Sequence, residues 1–237
     1  MEQSGLSRGI RALWGVEERP RRGPKPTVTV HEIASVAMEI ADGDGIQAIT
    51  MAAVAGRLGL TTMALYRHVD SRSDLVAVAA DAALGRPPAT SRRAGWRRQV
   101  GEWARAELAQ LQAHAWVLDV ILEGPPAGPN NVAWMDSGMQ AIGRTGLDPQ
   151  SAASALLVVD GFVRSMVGQA RQYGPGTGWA RALASVVDPD EFPAVSTALE
   201  AGTFDDDEAF PSDQDVEFGL SVVLDGIEQL IAAGSRR

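Results

Sequence analysis

The side chains best suited to contact another macromolecule lie in one short stretch, where Thr61 and Thr62 are followed by Met63, Ala64 and Tyr66. The methyl groups of threonine and alanine can contact the methyl group of thymine, and a tyrosine hydroxyl can hydrogen-bond a phosphate oxygen. The stretch has no Arg, Asn or Gln, the residues that pair bidentately with guanine or adenine. These residue types predict a surface that reads DNA mainly through methyl contacts.

Two short helices must position these side chains. Val54 and Leu58 lie one turn apart on a predicted first helix, and Leu65 and Val69 lie one turn apart on a second. Gly59 falls where a helix needs a left-handed residue to end, and the threonine two residues later can cap a new helix. Together they predict a helix-turn-helix, whose second helix enters the major groove of DNA. On these residues alone, an ordinary helical hairpin is the alternative.

The residues around this unit resemble the tetracycline-repressor family of bacterial transcription regulators. The resemblance covers roughly residues 27 to 80, and it rests on Ala55, Leu58-Gly59-Leu60, Ala64-Leu65-Tyr66-Arg67-His68-Val69 and Ser71-Arg72-Ser73-Asp74-Leu75. The chain departs from the family pattern at Ala52 and Ala53, where a charged or amide residue is common. The resemblance implies DNA contacts, with Tyr66 and Arg72 on phosphates, from Thr50, Thr61, Thr62, Met63, Ala64, Tyr66, Arg67, His68 and Arg72.

Residues 1–28 form a basic extension that ends in Arg19-Pro20-Arg21-Arg22-Gly23-Pro24-Lys25-Pro26. Proline discourages helix and makes the preceding residue extended. An extended arm of this composition can place Arg22 and Lys25 in a minor groove of DNA. A disordered extension is the equally open alternative. Upstream of the prolines, a short amphipathic turn is indicated by the spacing of Leu6, Ile10, Leu13 and Trp14.

The charge of the chain is divided unevenly. The net charge is −9, but residues 1–90 carry 10 basic and 10 acidic side chains, whereas the remainder carries 11 basic and 20 acidic. This asymmetry favours a head that contacts DNA and an acidic body that does not.

Helix signals continue to the end of the chain. Thr29 and Glu32 form a T-x-x-E capping box, Asn130 is placed to cap a later helix, and Asp148 precedes a proline at the first position of a long apolar helix. Strand-like alternation is absent over any useful length. The chain therefore predicts an all-α protein of about nine or ten helices, with a helix-turn-helix domain at residues 29–85 and a C-terminal ligand-binding and dimerisation domain at residues 92–235.

Most aromatic side chains lie in this C-terminal part, interleaved with methionine. Each is most often simply core, but together they are typical of an apolar pocket with few polar groups. The resemblance implies an effector pocket there, and we expect its lining to include Trp103, Trp116, Trp134, Met135, Met139, Phe162, Met166 and Gln169. A metal-chelated effector is not favoured, because no histidine lies near residues 120–122.

A homodimer is also implied by the resemblance, since the family pairs two of its helices into a four-helix bundle. The long helix after Asp148 and the last helix from Val216 both carry more apolar surface than a monomer of this size needs. We expect the interface to include Leu156, Val159, Val163, Leu220, Leu224, Ile227 and Ile231.

Other chemistry is not indicated. His31, His68 and His114 share no metal-ligand spacing, cysteine is absent, and no phosphate-binding glycine loop or activated nucleophile is visible. No run of 18 apolar residues predicts a membrane span. We therefore expect no enzyme, cofactor or metal, but a cytoplasmic homodimeric repressor that a small hydrophobic or aromatic effector releases from a palindromic operator. The alternative is a non-responsive architectural or scaffold protein that still binds DNA.

Overall fold

The computed structural model describes residues 5–16, 28–89, 93–121, 127–172, 178–204 and 211–234. Over these ranges the chain forms twelve α-helices, one 3-10 turn at Ile46–Ala48 and no strand. The all-α prediction is confirmed, but the expected nine or ten helices were too few. The helices are α1 Arg8–Leu13, α2 Val30–Asp44, α3 Met51–Arg57, α4 Thr62–Leu65, α5 Arg72–Leu84, α6 Trp96–Ala113, α7 Val117–Ile121, α8 Pro129–Gly143, α9 Pro149–Gln172, α10 Trp179–Ala184, α11 Pro193–Glu200 and α12 Asp213–Gly234.

The additional helices are the short ones. The six residues of α1 and of α10, and the five of α7, are too few for a clear 3.6-residue period, and helices of this length depend on tertiary packing. The chain divides into two compact units, residues 1–156 and residues 157–237, so that the division falls within α9.

Hydroxyl caps begin the four helices α2 to α5, and the sequence predicts those of Thr29 and Thr61. Thr29 and Glu32 form the complete capping box of α2, with Glu32 N–H donating to Thr29 Oγ1 at 3.2 Å and Thr29 N–H donating to Glu32 at 2.7 Å. Thr50, Thr61 and Ser71 each accept the backbone N–H three residues on, at the starts of α3, α4 and α5. Such caps satisfy backbone donors that a helix start leaves open.

The core of residues 28–85 is built where α2 lies along α5, and α3 and α4 close it. Ile33, Ile49, Val54, Leu65 and Leu75 are all fully buried there. Because Leu65 and Val69 both point inward, the rest of α4 is turned outward.

The remaining helices of the first unit pack through small residues. α6 lies on α8, and Trp103 and Trp134 meet edge to face at 5.8 Å between ring centroids. A Cβ at Gly138 would lie 2.5 Å from a methyl group of Leu156 and 3.1 Å from the ring of Trp103. Glycine at this position therefore allows α8 to approach both side chains.

In the second unit, α9 and α12 approach closely at another glycine. A Cβ at Gly219 would clash with the ring of Phe162, so the ring of Phe162 lies against the backbone of α12. Trp179 and Phe204 also meet edge to face, with ring centroids 5.6 Å apart.

The helix α9 is long and apolar enough to cross a bilayer, a property that core helices of water-soluble proteins share. Its middle, however, carries Asp160 and Arg164, which pair at 2.9 Å. Charged side chains are costly at the centre of a bilayer. Its apolar residues are better explained by burial within the fold, since Val159, Val163 and Val167 are all buried.

Candidate nucleic-acid interface

The recognition segment, residues 61–68, follows α3 through a tight turn. Gly59 takes φ +66°, the left-handed conformation expected for a glycine that ends a helix. The Thr61 hydroxyl oxygen accepts the N–H of Ala64 at 3.2 Å, and Leu65 is fully buried. These two interactions fix the segment between a cap and the core.

The outward face of this segment carries most of the side chains that the sequence predicts to contact DNA. Met63 is 73 % exposed and Tyr66 is 44 % exposed, and Thr61, Thr62 and Arg67 are also exposed. Ala64 is half-buried. The exposed apolar side chain of Met63 is suited to contact with thymine methyl groups.

Arg72, predicted to contact phosphates, makes hydrogen bonds within the chain. Its Nε donates to the carbonyl of Ile49 at 2.8 Å, and one terminal nitrogen donates to the carbonyl of Ile46 at 2.9 Å and to Gln47 Oε1 at 3.2 Å. These bonds hold the 3-10 turn before α3 against the start of α5. The guanidinium is held within the chain, and a contact of Arg72 with phosphate stays a prediction.

His68 is half-buried beside two arginines. Burial lowers its pKa below the ordinary value of 6.5, and the charges of Arg67 and Arg8 lower it further. A neutral imidazole at neutral pH can donate one N–H but brings no charge to a phosphate.

Three residues of the candidate interface, Thr50, Arg22 and Lys25, stand apart from the segment. Thr50 is exposed, but its hydroxyl caps α3 by accepting the N–H of Ala53 at 3.1 Å. Arg22 and Lys25, the predicted minor-groove contacts, lie outside the described residues. A residue that the sequence reasoning missed is Arg8, which reaches the carbonyls of Tyr66 and Arg67 from α1. The spacing of Leu6, Ile10 and Leu13 indicated a helical turn there but not its partner.

Two aspartates join the first helices to the part of the chain that follows. Asp42 at the end of α2 accepts the indole N–H of Trp116 and a ring nitrogen of His114 pairs with it, both at 2.8 Å. Trp116 therefore joins α2 to the start of α7, and its expected place in an effector pocket stays a prediction.

Asp81 in α5 caps α8. Its carboxylate accepts the backbone N–H of Asn130 and of Asn131, each at 3.0 Å, and Asn130 Nδ2 donates back to the carbonyl of Asp81 at 2.9 Å. Asn130 was expected to be the cap itself, but it lies inside α8. The Asp81 carboxylate occupies the space that a Cβ at Gly128 would fill. Burial raises the pKa of Asp81, and the two backbone donors oppose that shift.

The predicted effector residues of the first unit are mostly packed. Trp103 donates its indole N–H to the carbonyl of Trp134 at 3.0 Å, and Trp134 donates to the carbonyl of Gly85 at 3.0 Å. Met139 is half-buried, whereas Met135 is 46 % exposed. A cavity of about 290 Å³ lies elsewhere, between α1, α5, α7 and the start of α8, and Asp81, Arg72 and Ile10 are among its lining residues.

The predicted effector residues of the second unit lie on α9. Phe162, which packs at Gly219, Met166 and Gln169 are half-buried, and Gln169 Nε2 donates to Ser165 Oγ at 2.9 Å. Their role in binding an effector stays a prediction.

Comparison with known proteins decides the family. A family model described as "Tetracyclin repressor-like, C-terminal domain" matches residues 88–231, more than half of the chain. This chain belongs to the tetracycline-repressor family. It is 32 % identical over 242 residues to the HTH-type transcriptional repressor DrrR1 of Streptomyces coeruleorubidus, covering 96 % of this chain and 87 % of that one.

Solved structures of tetracycline-repressor proteins share the fold. Apo ActR from Streptomyces coelicolor superposes with a TM-score of 0.77 at 23 % identity, over 90 % of this chain and 100 % of that chain. BioQ in complex with its double-stranded DNA operator superposes with a TM-score of 0.55 at 19 % identity, over 83 % and 95 % of the two chains. At these identities the likeness concerns the fold alone.

Within this tetracycline-repressor chain, the predicted dimer residues face inward. Leu156, Val159, Val163, Leu220, Leu224 and Ile227 are at most 6 % exposed, and only Ile231 of the seven is half-buried. They form a buried apolar stripe on α9 and another on α12. A side chain this buried has little surface to give to a partner, and the place of these six residues in a dimer interface stays a prediction.

Other faces of the same two helices carry the exposed apolar surface. On α12, Phe218 is 72 % exposed, Val222 is 55 % and Leu230 is 57 %, and on α9 Leu157 is 69 % exposed. Phe218 and Val222 are one turn apart, and Leu230 follows two turns later. Contiguous exposed apolar surface of this kind is typical of a protein interface.

Proposed function

We propose that this protein is a homodimeric transcription regulator that represses by binding a palindromic DNA operator and is released by a small hydrophobic or aromatic effector. The observation that carries the proposal is the outward face of the recognition segment, where Thr62, Met63, Tyr66 and Arg67 are exposed behind a capped turn. The relative DrrR1 bears the name of a transcriptional repressor, and BioQ was solved on its operator. Such a protein acts where the bacterial chromosome lies, in the cytoplasm.

DNA recognition is proposed to divide between bases and phosphates. Thr62 and Met63 offer methyl groups to thymine, and Tyr66 and Arg67 donate hydrogen bonds to phosphate oxygens. Thr61 keeps its hydroxyl proton as a donor while its oxygen caps α4. The basic tract with Arg22 and Lys25 adds electrostatic affinity for phosphate that does not depend on the base sequence of the DNA.

The dimer is proposed to form through the exposed apolar faces of α9 and α12 rather than through their buried stripe. Leu157 on α9 and Phe218, Val222 and Leu230 on α12 supply that surface. Recognition of two half-sites one turn of DNA apart requires the two recognition segments of such a dimer to lie about 34–36 Å apart.

The effector is proposed to bind among the helices of the C-terminal domain. ActR has been solved with actinorhodin and with (S)-DNPA. In this chain, the aromatic pair Trp103 and Trp134 with the half-buried Met139 suits a hydrophobic or aromatic ligand. To reverse a 99:1 population, the effector must prefer the released state by about 5.5 kcal/mol. Asp81, which joins α5 to the start of α8, is the most direct route by which α8 can move α5.

Selection of bound sequences from a random DNA pool with the full-length protein tests the first half of the proposal. We expect a palindrome whose half-sites are about one helical turn apart. A variant with Met63→Ser should shift the selected half-site at thymine positions, whereas Met135→Ser, at another exposed methionine, on α8, should select the same sequence. Recovery of no preferred sequence by the wild type would exclude operator recognition.

A non-responsive DNA-binding protein is the second candidate, and one observation favours it. The indole N–H groups of Trp103, Trp116 and Trp134 are all bonded within the chain, as in a core that serves only stability. Thermal unfolding of the protein–operator complex with a panel of hydrophobic aromatic compounds separates the two. A compound that stabilises the free protein and releases the operator supports the responsive repressor, and a panel without any such compound supports the second candidate.

A further inference from the structure

The first helix of the chain packs on the DNA-reading part of the molecule rather than standing apart from it. α1 spans only six residues, yet it lies on α5 and α2 and places Gly9 and Ile10 in the core. Its N-terminal end meets the recognition segment, and Trp14, the residue after its last turn, meets Ala127, two residues before α8. A helix this short is unstable alone, so its position is set by these contacts.

The buried carboxylate of Asp74 anchors α1. It is 4 % exposed and accepts hydrogen bonds from the Ser7 hydroxyl, from Gly9 N–H at 2.9 Å and from Asp70 N–H at 2.8 Å. Two of these three donors come from the start of α1. A buried carboxylate is tolerated only when such donors surround it, so the docking of α1 and the burial of Asp74 depend on each other.

The close approach of α1 requires glycine at position 9. A Cβ there would lie 2.8 Å from Asp74 Oδ1, 2.8 Å from a methyl group of Val78 and 3.0 Å from a methyl group of Val69. The three groups belong to the end of the recognition unit and to α5, and none is the far end of a flexible side chain. Any larger residue at position 9 must lift α1 away from them.

Arg8 connects α1 to the recognition segment itself. Its backbone N–H and its Nε both bond Asp70, at 2.9 and 3.1 Å, and a terminal nitrogen lies 3.4 Å from the carbonyl oxygens of Tyr66 and Arg67. These carbonyls end α4, where a cation is favourable. At the other end of α1, Trp14 donates its indole N–H to the carbonyl of Ala127 at 2.8 Å.

We propose that α1 orients the recognition segment for DNA, with Arg8 as the positioning residue and Gly9 as the residue that permits the contact. The inference rests on the proposed DNA-binding function. It assigns to residues 7–14 a role distinct from that of the basic tract, because Arg8 acts on protein carbonyls and on Asp70 rather than on phosphate. Through Trp14 and Arg8, α1 also connects the segment before α8 to the recognition segment, in addition to the connection through α5.

Two variants with matched controls test this role on the full-length chain. Gly9→Ala raises helix propensity, so any loss of DNA binding cannot come from a weaker helix. Overpacking a buried contact changes an equilibrium constant by about five- to a hundredfold, and we expect Gly9→Ala to weaken operator binding by about tenfold or more. Gly5→Ala is the control, since nothing lies within 4 Å of its added Cβ.

Arg8→Ala separates positioning from direct contact with phosphate. Its side chain is half-exposed, so the variant keeps the fold, and thermal unfolding will verify this. A positioning residue lowers affinity for the selected operator while leaving affinity for random DNA and the salt slope unchanged. A phosphate contact lowers both affinities and reduces the log–log salt slope by about one. Arg8→Lys should restore part of the operator affinity, because it keeps the cation at the end of α4.

The outcomes distinguish the inference from the function on which it rests. If neither the wild-type protein nor the Gly5→Ala variant selects a preferred sequence, the proposed function is overturned, and with it the role of α1. If the wild type binds its operator no more tightly than the Gly9→Ala and Arg8→Ala variants, the role of α1 alone is overturned. A salt slope reduced by Arg8→Ala likewise overturns positioning in favour of a phosphate contact.

Discussion

The carboxylate of Asp42 and the indole of Trp116 are joined by a hydrogen bond of 2.8 Å, which ties the end of α2 to the start of α7 across 74 residues of sequence. Asp42 lies in the part of the chain that carries the recognition segment, and Trp116 lies within residues 88–231, which match the family's C-terminal domain. Asp81 of α5 makes a second such connection, to the start of α8. Both connections between the first helices and the following part of the chain are therefore polar. Polar joints are more specific in geometry than apolar ones, since each donor must face one acceptor.

The first prediction concerns this bond. Trp116→Phe keeps most of the ring and removes the N–H, and a hydrogen bond to a charged group contributes about 1.5–3 kcal/mol. We expect the free energy of unfolding to fall by an amount in that range, measured in urea. A double-mutant cycle with Asp42→Asn isolates the pair. Additive effects of the two substitutions would show that the bond does not stabilise the fold.

The second prediction separates base contacts from phosphate contacts in the recognition segment. Thr62→Ala should relax the preference at one base pair, by up to about 1–3 kcal/mol, because one side chain faces one base edge. Tyr66→Phe should weaken operator and random DNA alike, because only a hydroxyl bond to phosphate is lost. Competition binding with single-base operator variants measures both. Equal affinity of Tyr66→Phe and wild type for all DNA would remove Tyr66 from the interface.

The third prediction concerns the basic tract. Deleting residues 1–26 would also remove α1, so the tract is better tested by replacing Arg19, Arg21, Arg22 and Lys25 with alanine. Losing two or three phosphate contacts should lower the slope of log affinity against log salt by about 2–3 units. Replacement of Arg236 and Arg237 is the control for net charge. An unchanged slope would leave the tract without a role in DNA binding.

The fourth prediction places the dimer interface. Val222→Asp puts a charge on the exposed apolar face of α12, where an unpaired buried charge costs about 2–5 kcal/mol. The dimer dissociation constant should therefore rise at least about thirtyfold, with loss of operator binding, as sedimentation equilibrium can measure. Val186→Asp, at another exposed valine, should have no effect. Leu224→Asp is unsuitable, since Leu224 is buried in the chain and its replacement would unfold it.

The fifth prediction concerns pH. The pKa of His68 is lowered in the folded protein, so the unfolded chain binds the proton more readily between that value and the ordinary 6.5. Stability contributed by neutral His68 is therefore present above about pH 6.5 and is lost as the pH falls below it. Thermal unfolding between pH 8 and pH 5.5 should decline less in His68→Gln than in wild type. His31→Gln, on the exposed face of α2, should follow the wild type.

The sequence alone determined what depends on neighbours three or four residues away. The capping box of Thr29 and Glu32, the cap of α4 by Thr61, the turn at Gly59 and the burial of Leu65 all follow from local spacing. Such interactions form within one or two turns of helix, so their geometry is nearly independent of the rest of the chain. The all-α fold and the outward face of the recognition segment are predictable for the same reason.

Only the tertiary structure decided which distant residue meets which. Asn130 and Asp81 are 49 residues apart, and Arg8 and Tyr66 are 58 apart, so no local rule could make Asp81 the cap of α8 or Arg8 the partner of α4. Apolar periodicity showed that α9 and α12 bury a stripe, but not whether the chain itself or a partner covers it. The answer depends on how whole helices pack. The hydrophobic effect favours removal of apolar area from water whichever surface covers that area.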